Sequence, residues 1–438
     1  MSSKSYQSEV GELTVRPVPT VSRSGGTNAV AVIGGYNKST ANASVTAGEA
    51  TAVTNPVDAS EQFGNSEIAR VSAVLTANGA NDIRAVPVPE TEMTESVTGS
   101  DSITLSHAPI FDPQLHPEHD VVVTDTASGT SISSINYVYT DPVQSPTSTD
   151  TANVNPVTGE VVMDASGDYE VTYTYGDYQT AIDTAKNLPV RYLCVLTENE
   201  GVKASAIAAV ADIASDFDFK RVVTGARPEI QSTDVGSYVP SQRSWRMVEV
   251  APARAGGANG PVRTQAAVAG LMASQPIGPD GSTLFDTVSG LTGVNTEYRA
   301  STATGFDGVT SLTRNGKIVQ AITTSESAQF QNVYATEIID RLALDLFSVA
   351  ESYAGGPQDI GDLRSLLRGV CQSATNQTPP LLGFAREVDA RPYDVEVSIG
   401  VDSGIANASV TIVPSPIAEE VNINLTVADG FVSFGTAE

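Results

Sequence analysis

Three histidines, His107, His116 and His119, are the only imidazoles in the 438-residue chain. Any imidazole chemistry must therefore use them. Two stand in the run His116-Pro117-Glu118-His119-Asp120. Zinc is often held by histidines spaced along one helical face, but Pro117 breaks such a helix, and the run reads as a loop without metal. A Ser-His-Asp triad has to draw on distant parts of the chain, and no GxSxG elbow is present. Asp164, Asp168 and Glu170 flank Gly167 but miss the spacing of an EF-hand loop, so they read as solvated carboxylates. Gly34-Gly35 follows an apolar run, yet neither GxGxxG nor GxxxxGK[ST] accompanies it. A plain turn is expected there. Cys194 and Cys371 lack companions at metal spacing and read as small buried hydrophobes. No pair of carboxylates presents itself for general acid–base work. The expectation is a protein without catalytic residues, cofactor or resident metal, and not an enzyme.

The totals point the same way. Hydrophobic residues make up 40% of the chain, enough for real cores, and the length calls for several domains. The net charge is -27, from 51 acidic residues against 24 basic ones, of which six are lysine. Few lysines, few aromatics and many Asp, Thr, Ala, Val and Gly look like the proteome of a halophile. In molar salt the repulsion among carboxylates is screened within ~3 Å. Nucleic-acid binding, which needs a basic stripe, is not expected. Nor is membrane insertion, since no apolar run reaches spanning length, or Sec export, since Met1–Gln7 lacks an apolar signal core.

The elements follow from periodicity. Residues 1–26 form an arm holding the extended Leu13-Thr14-Val15, bounded by Pro17 and Pro19. Residues 27–90 start a core, with a strand at Asn28–Ile33 and a helix from Glu67 to Asn78. From Ala85 to Ala185 there is no Lys or Arg but sixteen Asp and Glu. Within it, residues 91–180 read as an inserted antiparallel β domain on the outer surface, with an aromatic face (Ile135, Tyr137, Tyr139; Tyr169, Val171, Tyr173, Tyr175) and carboxylates facing bulk solvent. Residues 181–310 resume as an α/β core with a mostly parallel sheet: strands at Val190–Leu196, Arg221–Val223 and Trp245–Val250, and a helix whose apolar face is Ile207, Val210, Ala211 and Ala214. Residues 311–418 form a C-terminal α+β domain. Its first helix has Ile339, Leu342, Leu346 and Val349 on one stripe, with Asp340, Arg341 and Asp345 off it; its second gathers Leu363, Leu367, Val370 and Ala374. Residues 419–438 are a second arm, in which Val421, Ile423, Leu425 and Val427 alternate with polar residues. A strand of this kind at a chain end needs a partner sheet.

Four stretches together resemble the contractile tail sheath proteins of tailed viruses and contractile injection systems. They are the arm and strand Val10–Tyr36, the segment Pro261–Gly270, the segment Gly308–Ile318 with Thr323-Thr324 beyond it, and the long run Val333–Val427. The resemblance lies in order and pattern and covers well over half of the chain. One departure stands after Met272, where Thr283-Leu284-Phe285-Asp286-Thr287 replaces the Gly-Val-Trp/aromatic-x-x-Pro-x-Asn run usual in the family.

The resemblance implies a structural subunit that stacks in rings around a tail tube as a helical homo-oligomer and contracts to drive the tube through the host envelope. The other implied partners are baseplate and tail terminator proteins, and the implied location is the virion, assembled in host cytoplasm. It implies arms exchanged between neighbours as β-strands, with Leu13 and Val15 in one and Val421, Ile423, Leu425 and Val427 in the other. It puts Arg341, Arg364 and Arg368 on the face towards the tube. Together with the composition it suggests a haloarchaeal virus. The alternative is a haloarchaeal surface or adhesion protein that binds a partner through its β domain.

Overall fold

The computed structural model describes residues 4–8, 11–15, 29–214, 218–227, 239–277, 283, 286–294, 310–312, 316–353, 360–377, 380–383, 392–399, 406–414, 423–428 and 431–436. At the N-terminus β1 (Lys4–Ser8) and β2 (Gly11–Val15) form an antiparallel hairpin. Then come β3 (Ala29–Gly34), β4 (Thr51–Val53), α1 (Pro56–Phe63), α2 (Glu67–Ala77) and β5 (Asp82–Pro87). Both helices start at side-chain caps: Asn55 accepts from the Val57 and Asp58 amides, with proline following as first helical residue, and Ser66 accepts from Ala69.

A separate six-stranded sheet interrupts the core. It consists of β6 (Glu90–Thr104), β7 (Val122–Asp125), β8 (Thr130–Ser131), β9 (Ser134–Tyr137), β10 (Thr151–Asn155) and β11 (Glu160–Gly176). β6 and β11 pair antiparallel from Glu90↔Gly176 to Thr104↔Glu160, with register shifts between Val162 and Tyr169. This long ribbon carries the domain away from the core. Tyr169, Val171 and Tyr173 are buried with Val123, Val154 and Met163, and Tyr137 and Tyr175 pack against them. One pair departs from the antiparallel expectation: β9 and β10 run parallel, because the chain from Val138 to Asp150 crosses back rather than turning as a hairpin.

The core resumes with α3 (Tyr178–Ala185), β12 (Tyr192–Val195), α4 (Glu200–Ala214), β13 (Arg221–Gly225), β14 (Met247–Ala251), β15 (Arg254–Gly257), β16 (Gly260–Arg263), α5 (Gln265–Ser274), β17 (Thr310–Leu312) and β18 (Ile318–Gln320). The eight-stranded sheet has the order β18-β17-β14-β13-β12-β3-β5-β4. Its six central strands are parallel, and β4 and β18 close the edges antiparallel. Every residue of β3 is buried, as a strand covered on both faces must be. Val30 and Val32 face the layer of α2 and α5, while Ala29, Ala31 and Ile33 face that of α3 and α4. Gly270 lets α5 close on α2, since a Cβ there would stand 2.7 Å from the Leu75 carbonyl. The buried face of α4 is the expected one only in part, with Val210 buried and Ile207 packed against the core. Val202, Ala206, Ala209 and Val210 point inward and Ala211 is exposed, and Lys203 is also buried, its Nζ 2.7 Å from Glu249. Apolar periodicity does not register an inward ion pair.

The C-terminal part contains α6 (Ala328–Gln331), α7 (Val333–Tyr353), α8 (Ile360–Asn376), and the antiparallel pair β19 (Tyr393–Ile399) and β20 (Ala406–Ile412). Tyr334, Ile338 and Leu342 of α7 pack with Leu363, Leu367 and Cys371 of α8 and with Val395 and Val397. The last elements, β21 (Ile423–Ala428) and β22 (Phe431–Thr436), form another antiparallel hairpin.

Candidate functional site

Among the described residues, two buried ionic junctions tie the core to its neighbours. The first fixes the root of the inserted sheet. Glu67, in the first turn of α2 where the helix favours a carboxylate, is fully buried. It accepts from Arg263 Nε at the end of β16 and lies 3.2 Å from His116 Nε2. Arg263 also pairs with Glu198. Glu198 stands 2.9 Å from Arg254 Nε, and Arg254 in turn grips Asp112 and donates to Tyr139 Oη at 2.8 Å. Tyr139 closes the circuit by donating to Asp112 Oδ2 at 2.6 Å. The chain His116–Glu67–Arg263–Glu198–Arg254–Asp112 thus leaves the insertion, crosses the core and returns to the same insertion loop four residues away. Burial pushes the Glu67 carboxyl up, but Arg263 and His116 outweigh it and hold the pKa at about 2. Burial likewise opposes ionisation of Asp112 and Glu198, and their arginine partners hold both below the usual carboxylate range.

This corrects the expectation that the cation-free domain turns all its carboxylates to solvent. Asp112 is 3% exposed, and the positive charge absent from residues 85–185 is supplied by the core. Arg70 adds a bond from Nη2 to the Leu115 carbonyl at 2.5 Å. Tyr139, expected on the aromatic face of the sheet, stacks beneath Arg254 instead.

The second junction joins the core to α7. Arg191 immediately precedes β12, Arg221 opens β13 and Arg246 immediately precedes β14. Three adjacent parallel strands therefore present an arginine at their N-terminal ends, on the same side of the sheet. They meet two carboxylates one turn apart on α7. Arg191 Nη2 is 2.5 Å from Glu337, which also accepts from Tyr192 Oη. Asp340 is 2.7 Å from Arg221 Nη2 and 3.1 Å from Arg246 Nη2. Arg246 is capped by the Trp245 ring at 4.0 Å. Asp340, expected off the apolar stripe, is off it because it is buried against the core.

Cavities of about 20 Å³ and 10 Å³ lie at these junctions. Each is the space of a water, whereas ligand sites take several hundred cubic ångströms. Among the described residues no group of three or more His, Cys, Asp and Glu is arranged to hold a metal ion, and no helix is long and apolar enough to cross a membrane.

The residues singled out from sequence are not brought together. Leu13 and Val15 lie in β2, opposite Tyr6 and Lys4. Ile423, Leu425 and Val427 lie in β21, opposite Thr436, Phe434 and Val432. Val421 is outside the described residues. Strand β22 was not anticipated, although Asp429-Gly430 between two alternating runs is a strong short-range hairpin signal. Arg341 is partly exposed, 4.0 Å from Asp345. Arg364 donates to the Val397 carbonyl at 3.2 Å, and Arg368, one turn on along α8, is exposed. The arginines of the junctions escaped the sequence reading. Their signal was an Arg at the head of each of three consecutive predicted strands.

No protein-family model and no curated protein matches the chain. Solved structures do. The fold is similar to that of a chain in the baseplate of the anti-feeding prophage and to one in the helical sheath of that prophage in its contracted state, each with TM-score 0.55, 10% identity, and coverage of 94% of this chain and 98% of the other. It is also similar to a chain of the contracted sheath complex of the PVC extracellular contractile injection system, with TM-score 0.52, 13% identity, and coverage of 95% and 99%. At such identities the likeness is one of fold, and it runs nearly from end to end of both chains.

Proposed function

We propose that the chain is a non-catalytic structural subunit of a contractile sheath, polymerising helically around a tube and shortening to drive it through an envelope. The observation that carries this reading is the near-complete mutual coverage with chains of two contractile particles, since a shared substructure alone matches only part of each partner. The termini add physical support. Each carries a two-stranded hairpin among the described residues, and β19–β20 is itself a two-stranded sheet, with β1 lying beside β20. Isolated hairpins are marginal in water. Strands donated between copies would join their edges by main-chain hydrogen bonds, with Leu13, Val15, Val421, Ile423, Leu425 and Val427 on the exchanged strands. Arg341 and Arg368 of α7 and α8 remain exposed enough to meet a tube. The acidic composition suits assembly in high salt, as in a haloarchaeal virus.

Electron microscopy of the purified protein in molar salt tests the reading. Hollow helical tubes are expected. Deleting residues 419–438 should leave a soluble, folded subunit that forms none, and normal tubes from that truncation would sink arm exchange. Dispersed particles from the intact chain at high concentration would sink the sheath reading itself.

A further inference from the structure

At the root of the inserted sheet, His116 sits between two carboxylates from opposite sides. Nε2 is 3.2 Å from Glu67 of α2, and Nδ1 faces Glu118 of its own loop at 3.9 Å. The imidazole is 2% exposed. Nδ1 and both Glu118 oxygens are buried without a hydrogen bond of ordinary length, so this side of the ring is held chiefly by charge across 3.9 Å. The ring's position leaves no slack. Phe111 meets it edge-on at 4.8 Å, and on the core side a Cβ at Gly35 would stand 2.1 Å from Cε1. The other charged or titratable groups around it are Arg70 of α2, Arg254 of β15, Arg263 of β16, Tyr178 of α3, Glu198 after β12, Glu90 of β6, and Asp112 and His119 of the same loop.

We infer that His116 is a proton-operated latch: as imidazolium it clamps the insertion loop 110–121 to the core through Glu67, braced from within the loop by Glu118, and on deprotonation it loosens that loop, which the Arg254–Asp112 pair and the Arg70–Leu115 bond still tether. A neutral ring can still donate one bond to Glu67, but it then turns a lone pair on the buried Glu118 carboxylate and loses the attraction that offsets Glu118's burial. Burial works against the charged ring, yet Glu67 and Glu118 prevail and raise the His116 pKa above the ordinary 6.5. For a group whose folded pKa is raised, the stabilisation is complete below the ordinary value and disappears as pH rises through the folded one. The latch is therefore fully shut below about pH 6.5 and opens as the pH rises from there through the folded value.

Hydrogen–deuterium exchange of residues 110–121 in the full-length protein, corrected for the intrinsic pH dependence of exchange, reads the latch directly. Protection is expected to be constant below about pH 6.5, to fall about tenfold per pH unit above it, and to level off beyond the folded pKa. Segments of β3 and β12 should stay unchanged and serve as the internal reference. In His116→Gln the loop should show the same reduced protection at every pH, and in Glu118→Gln the fall should begin at the same pH but level off at a lower one. A flat profile in the wild type, or the wild-type step surviving in His116→Gln, would overturn the proposal. If His116→Gln does not fold, an unshifted midpoint in Glu118→Gln overturns it alone.

Discussion

Asp340 of α7 stands 2.7 Å from Arg221 at the head of β13, both buried, although the two are far apart in sequence. Arg246 shares the same carboxylate. Removing Asp340 leaves two guanidinium groups facing each other out of water. Asp340→Ala should therefore cost about 3–5 kcal/mol, read from urea or thermal unfolding. Replacing all three residues with apolar side chains of similar volume should be far less damaging. Equal losses in both variants would mean that packing, not charge, holds this joint.

The insertion root sets the acid limit of stability. Glu67, Asp112 and Glu198 all have pKa values lowered on folding. Their stabilisation is present above the ordinary carboxylate range and is lost as pH falls through the folded values. Unfolding free energy should fall steeply from about pH 4.5 towards pH 2, and Glu67→Gln should show a shallower fall over the same interval. An unaltered slope in that variant would remove Glu67 from the account.

Close approach of α5 to α2 depends on one missing side chain. Gly270→Ala places a methyl 2.7 Å from the Leu75 carbonyl and 3.0 Å from Asn78 Cβ. Forcing the helices apart should cost about 1–3 kcal/mol despite alanine's better helix propensity. A melting temperature at or above the wild type would show that the helices can separate freely.

Salt separates the two populations of carboxylates. Those of the junctions are buried in ion pairs and little screened, whereas the exposed ones repel one another in dilute buffer. Molar KCl should raise the melting temperature and protect the inserted sheet in particular. Identical thermal unfolding in dilute buffer and in molar salt would remove the halophile reading.

Much of the layout could be read from residues because it rests on local pattern. The apolar run at Ala29–Ile33, the Ser66-capped α2 and the stripe of α8 each have one dominant period, whereas on α7 Ile338 and not the expected Ile339 is buried in the core. The sites could not be read in the same way. Glu67 and Arg263 are 196 positions apart, and nothing local marks a carboxylate as buried. The composition of residues 85–185 even pointed the wrong way for Asp112, because its counter-charge comes from Arg254, outside that stretch. Lys203 of α4 is a second case: an inward charge is visible only once its partner, Glu249, is in place.

The ribbon of β6 and β11 begins at the pair Glu90↔Gly176, so the chain leaves the core and re-enters it at one point. To the rest of the molecule the inserted sheet is a socket with a single opening. A tight turn could close it, or another domain with adjacent ends could be plugged in, without moving a strand of the eight-stranded sheet. The socket has one electrical requirement. Arg263 keeps Glu67 and Glu198 within the core, but Arg254 shares Glu198 and takes its second carboxylate from Asp112. Any replacement must bring one acidic group to that spot.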